Sequence, residues 1–522
     1  MKLLLVNFFP PETSARYLLS SYLLKAYLSQ HLPDPDLKVE VVDLSCLDTA
    51  ERVVPLLLGR HPDLIGFSCY AWNMSLVREC LHRLKAASPV PCLLGGPEIS
   101  PGMATELSGQ GMGDYFCIGE GEEWLLTLMQ RLLSRQGRRD GVEEVSSGKS
   151  GELMRQPPVD LLKVPPVYLS GALDTRLYRY QQAFLETQRG CRNRCAYCLY
   201  HKNLPGIAYL PLPRVLDEID HLVLRERIRA LRILDPVFTS DLARAKEVVR
   251  HMIRLKEQQG AVLPWTYWEF TMDSVDREFL SLTSGLRYGA AICNADVTEP
   301  VDRPQLYTDM LRNYTVINCV GLQSLNPAAQ RATGRRHLSP GQVQEFLSLA
   351  REMNIALKLD LMLGLPGEDY DSYFRGLSML LPYFAGTDHV LNIHRVMLLP
   401  GTLLEKRAHD LGLVRKREHG HLVLATPDFP RKDLEHAARL TAVLFRVFNS
   451  PFRSRFLEAM EREGLIPLLE RLLAGAIQEQ GRHCHALGKE TPVDDVYWND
   501  RIFSDIPSYW VDKALLPGRK AA

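Results

Sequence analysis

Cys191-Arg192-Asn193-Arg194-Cys195-Ala196-Tyr197-Cys198 sets three cysteines at CxxxCxxC spacing, directly after a short apolar stretch at 184–187 that reads as a buried strand. Three thiolates are one too few for a closed structural zinc site, which takes four ligands. Thiolates are the usual ligands of iron–sulfur clusters, and three of them leave one iron of a four-iron cluster open to a further ligand. Outward from this motif, strand-like segments at 184–187, 231–234, 265–270, 317–321, 356–361 and 391–396 alternate with helix-period segments. Six such units over about 220 residues predict a partial (β/α)6 TIM-like barrel, because a complete eightfold barrel takes about 250. The carboxyl ends of barrel strands carry active sites, and the three cysteines fall at such an end.

Ahead of the barrel, apolar runs at 3–8, 39–42, 64–68, 91–94 and 115–118 alternate with amphipathic stretches such as 74–87 and 124–134. This is the α/β pattern of a doubly wound, Rossmann-like parallel sheet, whose ligand sits beyond the carboxyl ends of its strands. Residues 137–155 are polar and contain Gly137, Gly141, Gly148 and Gly151, which reads as a linker. After Gly401 periodic apolar positions at 434–448 and 456–473 predict helices. The expected division is a sheet domain over 1–140, a linker over 141–180, a partial barrel over 181–402 and a mainly helical C-terminal domain over 403–522.

The chain has 522 residues, with 62 basic and 62 acidic side chains and 46% apolar residues. That length supports about three domains, each with its own core. A formal charge of zero excludes a nucleic-acid binder that works through a global basic field. No run approaches the roughly 20 apolar residues of a membrane-spanning helix, and Pro10-Pro11 follows the N-terminal apolar run with no cleavage site. Eleven cysteines, an odd number, argue against a disulfide framework. The expected setting is the cytoplasm, with reduced thiols.

The CxxxCxxC spacing, with Tyr197 before the last cysteine, resembles the radical S-adenosylmethionine (radical SAM) superfamily. The resemblance implies a 4Fe-4S cluster on Cys191, Cys195 and Cys198, its open iron chelated by the amino and carboxylate groups of S-adenosylmethionine. The reduced cluster then cleaves the sulfonium to a deoxyadenosyl radical. Leu234-Asp235-Pro236-Val237-Phe238 looks like the second-strand element of that family, Val320-Gly321-Leu322-Gln323-Ser324 like its fourth, and the run from Asp360 to Glu368 like its fifth. Leu398-Leu399-Pro400-Gly401-Thr402 looks like the segment that closes the last strand. Tyr197, Asp235, Glu269, Gln323, Ser324 and Asp360 are the candidate contacts to S-adenosylmethionine.

Alternation along 265–270 puts Trp265, Tyr267 and Glu269 on one face. Glu269 then points inward among aromatics, where an unpaired carboxylate is costly. Its partner is either the ammonium or ribose of the cofactor or a barrel Arg or Lys. Gln323 and Ser324 are read as ribose or carboxylate contacts, with a structural role as the alternative, and Asp360 as a cofactor contact or a core hydrogen-bond acceptor. Arg335, Arg336 and His337 read as a solvated basic turn, with contact to the cofactor carboxylate as the alternative.

In the first domain, the run from Asp63 through Ser68, Tyr70 and Trp72 to Asn73, then Leu94-Gly95-Gly96-Pro97-Glu98, then Ile118-Gly119-Glu120-Gly121-Glu122, resembles the cobalamin-binding domain that precedes the barrel in many radical enzymes. The likeness implies cobalamin contacts at Ser68, Tyr70, Trp72, Gly95, Gly96, Pro97, Glu98 and Glu120. The paired glycines remove side chains where a bulky ligand tail would pass close to backbone. The DxHxxG motif that supplies a lower axial histidine to cobalt is missing: the first loop reads Asn7-Phe8-Phe9-Pro10-Pro11-Glu12. The corrin would be held without an imidazole, with Tyr70 and Trp72 either covering that cobalt face or packing ordinarily at a strand end. A domain that had lost its ligand would show the same departure.

Together these features resemble the cobalamin-dependent radical SAM enzymes. They imply, most often, methyl transfer to a poorly activated carbon or phosphorus of a small molecule, with an external electron donor of flavodoxin or ferredoxin type. Ring closure, rearrangement and nonradical methylation are alternatives within enzymes. A cobalamin-binding sensor with a vestigial barrel is the alternative outside them, and the intact triad speaks against it. The second cysteine cluster of methylthiolating relatives is not found. His483-Cys484-His485 is too compressed to converge on a metal. Cysteines 46, 69, 80, 92, 117, 293 and 319 read as small buried thiols, and Arg225, Arg227 and Arg229 as a solvated charge run.

Overall fold

The strand β1, Lys2–Phe9, has six consecutive buried positions, the pattern of a strand covered on both faces. It pairs in parallel with β2 (Lys38–Ser45) on one side and β3 (Leu64–Ser68) on the other. With β4 (Cys92–Gly95) and β5 (Tyr115–Phe116) the order is β2-β1-β3-β4-β5. The order reverses between β1 and β3, so the crevice at their carboxyl ends is the ligand position of a doubly wound sheet. Alternation sorts the strand residues onto two faces. Leu4, Val6, Phe8, Ile65 and Phe67 pack with α2 (Ala50–Leu58), α3 (Met74–Ala87) and α4 (Pro101–Gly109). Leu3, Leu5, Leu64 and Leu93 pack with α1 (Leu19–His31) and α5 (Glu122–Gln136). This computed structural model describes residues 1–10, 15–136, 158–200, 204–286, 316–415, 421–486 and 515.

The second sheet holds β6 (Gln182–Leu185), β9 (Ala230–Ile233), β10 (Trp265–Phe270), β11 (Val316–Gln323), β12 (Leu357–Leu363) and β13 (Val390–Arg395) in that order, all parallel, with β6 and β13 at its edges. It is an open half-barrel, as six strand–helix units predict. The helices α6 (Leu212–Asp220), α7 (Leu242–Gln259), α8 (Arg277–Gly285), α9 (Pro327–Ala332), α10 (Pro340–Glu352) and α11 (Tyr370–Leu380) lie along the chain between or after its strands. Two short strands, β7 (Gln188–Arg189) and β8 (Ala208–Tyr209), form a separate antiparallel ladder.

The final segment contains α12 (Leu403–Lys406), a hairpin of β14 (Val414–Arg415) and β15 (Val423–Ala425), and helices α13 (Arg431–Phe448), α14 (Arg453–Glu463) and α15 (Leu465–Ala486). The expectation of a helical domain with its own core needs correction. Leu434, Leu444, Phe456 and Leu472 belong to the same buried cluster as Leu231, Val320 and Leu359 of the barrel. Asn449, just past α13, fastens the helices to edge strand β13: its Oδ1 accepts from the Leu391 N–H at 3.0 Å and its Nδ2 donates to the Leu391 carbonyl at 2.7 Å.

Of the segment expected to be a linker, 137–157 lies outside the described residues, as do Cys293 and the side chains of His483, Cys484 and His485. Residues 158–180 are no tether. Val159, Leu161, Val164, Val167 and Tyr168 are buried, and the Tyr168 hydroxyl meets Tyr17 at 3.1 Å and donates to the Phe184 carbonyl at 2.5 Å. Their apolar side chains make this stretch a strap between the two sheets.

Candidate active site

The cysteine loop leaves the carboxyl end of β6 and is fixed at its root by Asp235. Asp235 Oδ1 accepts from the backbone N–H groups of Thr187 and Gln188, at 2.8 and 3.1 Å, and Oδ2 accepts the Thr187 hydroxyl at 2.5 Å. The residue is fully buried, and burial pushes its carboxyl up to about 7 against the pull of those hydrogen bonds. Asp235 was expected to touch cofactor; both of its oxygens are instead spent on the loop. Gly190 follows at φ 91°, where an added Cβ would stand 2.0 Å from the Gly206 carbonyl oxygen, so the loop closes against itself only with glycine there.

The middle of the loop is gripped from both sides. Ala196 donates to the Thr333 carbonyl at 2.8 Å and accepts from the Leu404 N–H at 2.7 Å. Cys191 and Cys195 are buried and Cys198 is partly exposed. Burial raises the Cys191 thiol, and raises Cys198 to about 12, with neighbouring cysteines adding to both shifts. Among the described residues no three His, Cys, Asp or Glu side chains converge as a single metal ion requires. A four-iron cluster asks for something different, since each thiolate binds its own iron. The surroundings fit such a group: three mutually interacting thiols, a Tyr197 hydroxyl buried beside Cys195, and the Arg335 guanidinium, which donates to Cys195 Sγ at 3.6 Å. Arg335 corrects the reading of a solvated turn. Its neighbour Arg336 is exposed and pairs with Asp273 at 2.8 Å, whereas Arg335 turns inward.

Inside the half-barrel, Glu269 accepts from the Tyr267 hydroxyl at 3.0 Å. Burial raises its carboxyl, opposed by nearby Lys358 and Arg232. The Arg232 guanidinium lies 4.6 Å from the centre of the Tyr267 ring. Asp360 meets Lys358 at 3.2 Å, accepts from Asn392 at 2.8 Å and from the Cys319 thiol at 3.1 Å. Burial alone would raise Asp360, but Lys358, His394 and Asn392 together hold it well below the usual carboxylate range. The protein therefore supplies partners for both carboxylates, and the inner wall is polar and charged. Glu269 also raises the Cys198 thiol, which puts its charge within reach of the triad.

β11 slips register between Gly321 and Gln323, and Gln323 sits at φ 70°. A non-glycine residue held there costs about 1–3 kcal/mol, strain that the surrounding structure must hold in place. Ser324 is buried and donates to Glu368 Oε1 at 2.6 Å. Burial pushes the Glu368 carboxyl to about 7.

In the first sheet, Tyr70 and Trp72 stack with ring centres 4.3 Å apart at the end of β3, and Trp72, half exposed, donates to the Phe8 carbonyl at 3.3 Å. Ser68 Oγ meets Ser21 Oγ at 3.1 Å, which continues through Asn7 to Asp43. Gly96 needs to be glycine for a reason other than clearance for a ligand. At φ 112° its Cβ would come within 2.5 Å of the Cys69 carbonyl oxygen. Gly95 has more room, 3.4 Å to the Cys117 Cβ, and Pro97 separates the pair from Glu98.

Glu98 and Glu120, the expected corrin contacts, each have a partner within the protein. Glu98 is buried and pairs with His421 at 2.5 Å, joining the first sheet to the segment after the barrel. Glu120 accepts from Arg189 at 2.7 Å and from the Val159 N–H at 2.7 Å. Arg189, two residues ahead of Cys191, also meets Glu122 at 2.7 Å and Glu186 at 3.0 Å. This knot of charge between the sheets was not read from the sequence; a lone Arg beside the motif gave no signal until Glu120 and Glu122 were brought to it. Tyr200 was also missed. It is exposed, and the Glu269 carboxylate in the barrel helps to raise its phenol.

Residues 21–128 match the B12 binding domain and residues 185–374 the Radical SAM superfamily. The chain is 24% identical over 364 residues to the cobalamin-dependent radical SAM methyltransferase TokK of Streptomyces tokunonensis, covering 66% of this chain and 48% of that protein. It is 23% identical over 394 residues to the 2-(S-pantetheinyl)-carbapenam-3-carboxylate methyltransferase of Streptantibioticus cattleyicolor, covering 72% and 52%. The chain thus spans about half the length of these curated relatives. In fold it resembles the methyltransferase TsrM of Kitasatospora setae with cobalamin and a [4Fe-4S] cluster bound, with TM-score 0.57, 17% identity, and 92% of this chain and 99% of that one covered. It also resembles the cobalamin-dependent radical enzyme OxsB with aqua-cobalamin bound, with TM-score 0.59, 17% identity and coverage of 93% and 75%. The chain therefore carries a B12-binding domain followed by a radical SAM domain.

Proposed function

We propose that the protein is a cobalamin-dependent radical SAM methyltransferase that acts on a poorly activated carbon, or phosphorus, of a small natural-product-type molecule. The observation that carries this reading is the cysteine loop itself: it groups three thiols beside Arg335, and at its root Arg189 ties it to the β5–α5 turn of the B12-binding sheet. When bound, the cluster with S-adenosylmethionine would supply a deoxyadenosyl radical and the corrin a transferable methyl group.

The chain's own residues position and shield. Cys191, Cys195 and Cys198 would hold the cluster, and Glu269 and Gln323 would contact S-adenosylmethionine. Tyr70 and Trp72 offer a flat face at the switch point for the corrin. Arg232, Glu269, Lys358 and Asp360 give the half-barrel a polar wall suited to a substrate bearing charged groups, and the carboxylate named in the carbapenam relative supports that class. Its electron donor is of flavodoxin or ferredoxin type, and its compartment the cytoplasm. No helix among the described residues is long and apolar enough to cross a membrane.

The test is turnover of anaerobically reconstituted protein with methyl-labelled S-adenosylmethionine and candidate small-molecule acceptors, followed by mass spectrometry. The expected result is labelled product together with S-adenosylhomocysteine and deoxyadenosine. Deoxyadenosine with no label in any product refutes methyl transfer in favour of ring closure or rearrangement, and labelled product without deoxyadenosine refutes the radical step.

A further inference from the structure

Three consecutive residues after α9 grip three consecutive residues of the cysteine loop. The Thr333 carbonyl accepts from the Ala196 N–H at 2.8 Å. Gly334, at φ 67°, leaves the Arg194 carbonyl oxygen 3.3 Å from where a Cβ would stand. Arg335 then reaches the middle cysteine, one nitrogen donating to Cys195 Sγ at 3.6 Å and the other to the Gly321 carbonyl. Gly321 is the last residue of β11 before the register slip that sets Gln323.

A guanidinium is charged at every accessible pH and its planar fork fixes two acceptors at once. Here one acceptor is the barrel strand and the other is a ligand sulfur, so the cation cannot drift from the sulfur without breaking its anchor. Positive charge and N–H donors at cluster sulfurs favour the reduced, more negative state, and hydrogen bonds to the sulfurs are among the factors that set cluster potentials. The other two cysteines accept from neutral donors: Cys191 from the Asn193 backbone N–H at 3.4 Å and Cys198 from the Tyr200 backbone N–H.

We propose that Arg335 is a positioning residue that, clamped by Gly321, donates to Cys195 Sγ and raises the reduction potential of the bound cluster. This rests on the cluster assignment above. Once the cluster is bound, the arrangement eases its one-electron reduction by the external donor, while the same fork keeps Cys195 in register with the Gln323 bulge.

Wild type, R335K, R335Q and R335M are reconstituted anaerobically with iron and sulfide and compared by iron content and by redox titration followed with electron paramagnetic resonance. The expected result is full iron in all four, midpoints shifted to more negative values in R335Q and R335M, and R335K close to wild type because it keeps the cation. Should R335M fail to hold iron, R335K and R335Q carry the same comparison. Unmoved midpoints in iron-loaded R335Q overturn the proposal, as does weakened S-adenosylmethionine binding with unmoved midpoints, which would make Arg335 an anchor for the cofactor carboxylate. Loss of iron in all three variants overturns the redox role and leaves a structural one. Wild type that takes up no iron refutes the cluster assignment itself, a distinct outcome.

Discussion

Arg189→Met removes the single cation of a four-residue knot while keeping most of its aliphatic stem. The Arg189 side chain is 11% exposed, and its partners Glu120, Glu122 and Glu186 are 15%, 5% and 22% exposed, at 2.7, 2.7 and 3.0 Å. Exposed ion pairs are worth about 0–1 kcal/mol, but removing one partner of a buried pair costs about 3–5 kcal/mol because a charge is left uncompensated. Three carboxylates would be left facing one another, so the expected loss lies in that upper range. The pH dependence has a definite sign. Burial already raises Glu186, Arg189 opposes that rise, and Glu122 and Glu120 add to it. In the variant the folded-state Glu186 carboxyl rises further above its unfolded value of about 4.3. Stability linked to a raised pKa is fully present below the unfolded value and lost as pH rises through the folded one. The deficit should therefore be largest near pH 8 and shrink toward pH 5. Guanidinium unfolding of the cluster-free protein at both pH values measures it, with Arg277→Met as the control, since Arg277 and Glu352 are each 64% exposed. A deficit no larger than the control's, or one independent of pH, would refute the reasoning.

Replacing Cys191, Cys195 and Cys198 together by Ala should abolish iron uptake on reconstitution, read by iron analysis and visible absorption; undiminished iron contradicts the cluster assignment. Asp235→Ala leaves the Thr187 and Gln188 N–H groups unsatisfied at about 1–3 kcal/mol each, and hydrogen exchange should accelerate at those two amides more than in β6. Gly96→Ala meets the Cys69 backbone and a disfavoured φ, so a loss of more than about 1 kcal/mol is expected in unfolding experiments, accompanied by weaker corrin retention. The cobalt(II) corrin complex should show no nitrogen coupling from a protein imidazole in paramagnetic resonance; a clear histidine signal contradicts a lower face free of imidazole.

Both sheets were legible because parallel strands buried on two faces spell out continuous apolar runs, and the six barrel runs coincide with six observed strands to within a few residues. The triad was legible because its chemistry is local: three thiols within one loop need no distant partner to be noticed. The protein partners of Glu98 and Glu120 were hidden for the opposite reason. Glu120 finds its cation 69 residues away and Glu98 finds His421 323 residues away, separations that no spacing rule spans. Arg335 was hidden by its neighbours, since a run of Arg335, Arg336 and His337 looks solvated even though Arg335 turns inward to Cys195. The C-terminal helices were recognised as helices, but an apolar stripe does not say whether it faces other helices or a barrel edge.

That edge gives Asn449 a meaning for biosynthesis. A half-barrel ends in a row of unpaired backbone groups, the template on which strands of different chains join. Its side chain mimics the amide of a neighbouring strand at Leu391, but it lies beyond every barrel strand in the sequence, so on the ribosome β13 emerges first and stays bare until residue 449 follows. Domains acquire their folds in order of synthesis, and exposed strand edges are where nascent chains go astray. Chains cut between β13 and α13 should therefore associate edge to edge, and the intact protein should need its final helices before its barrel is safe in a crowded cell.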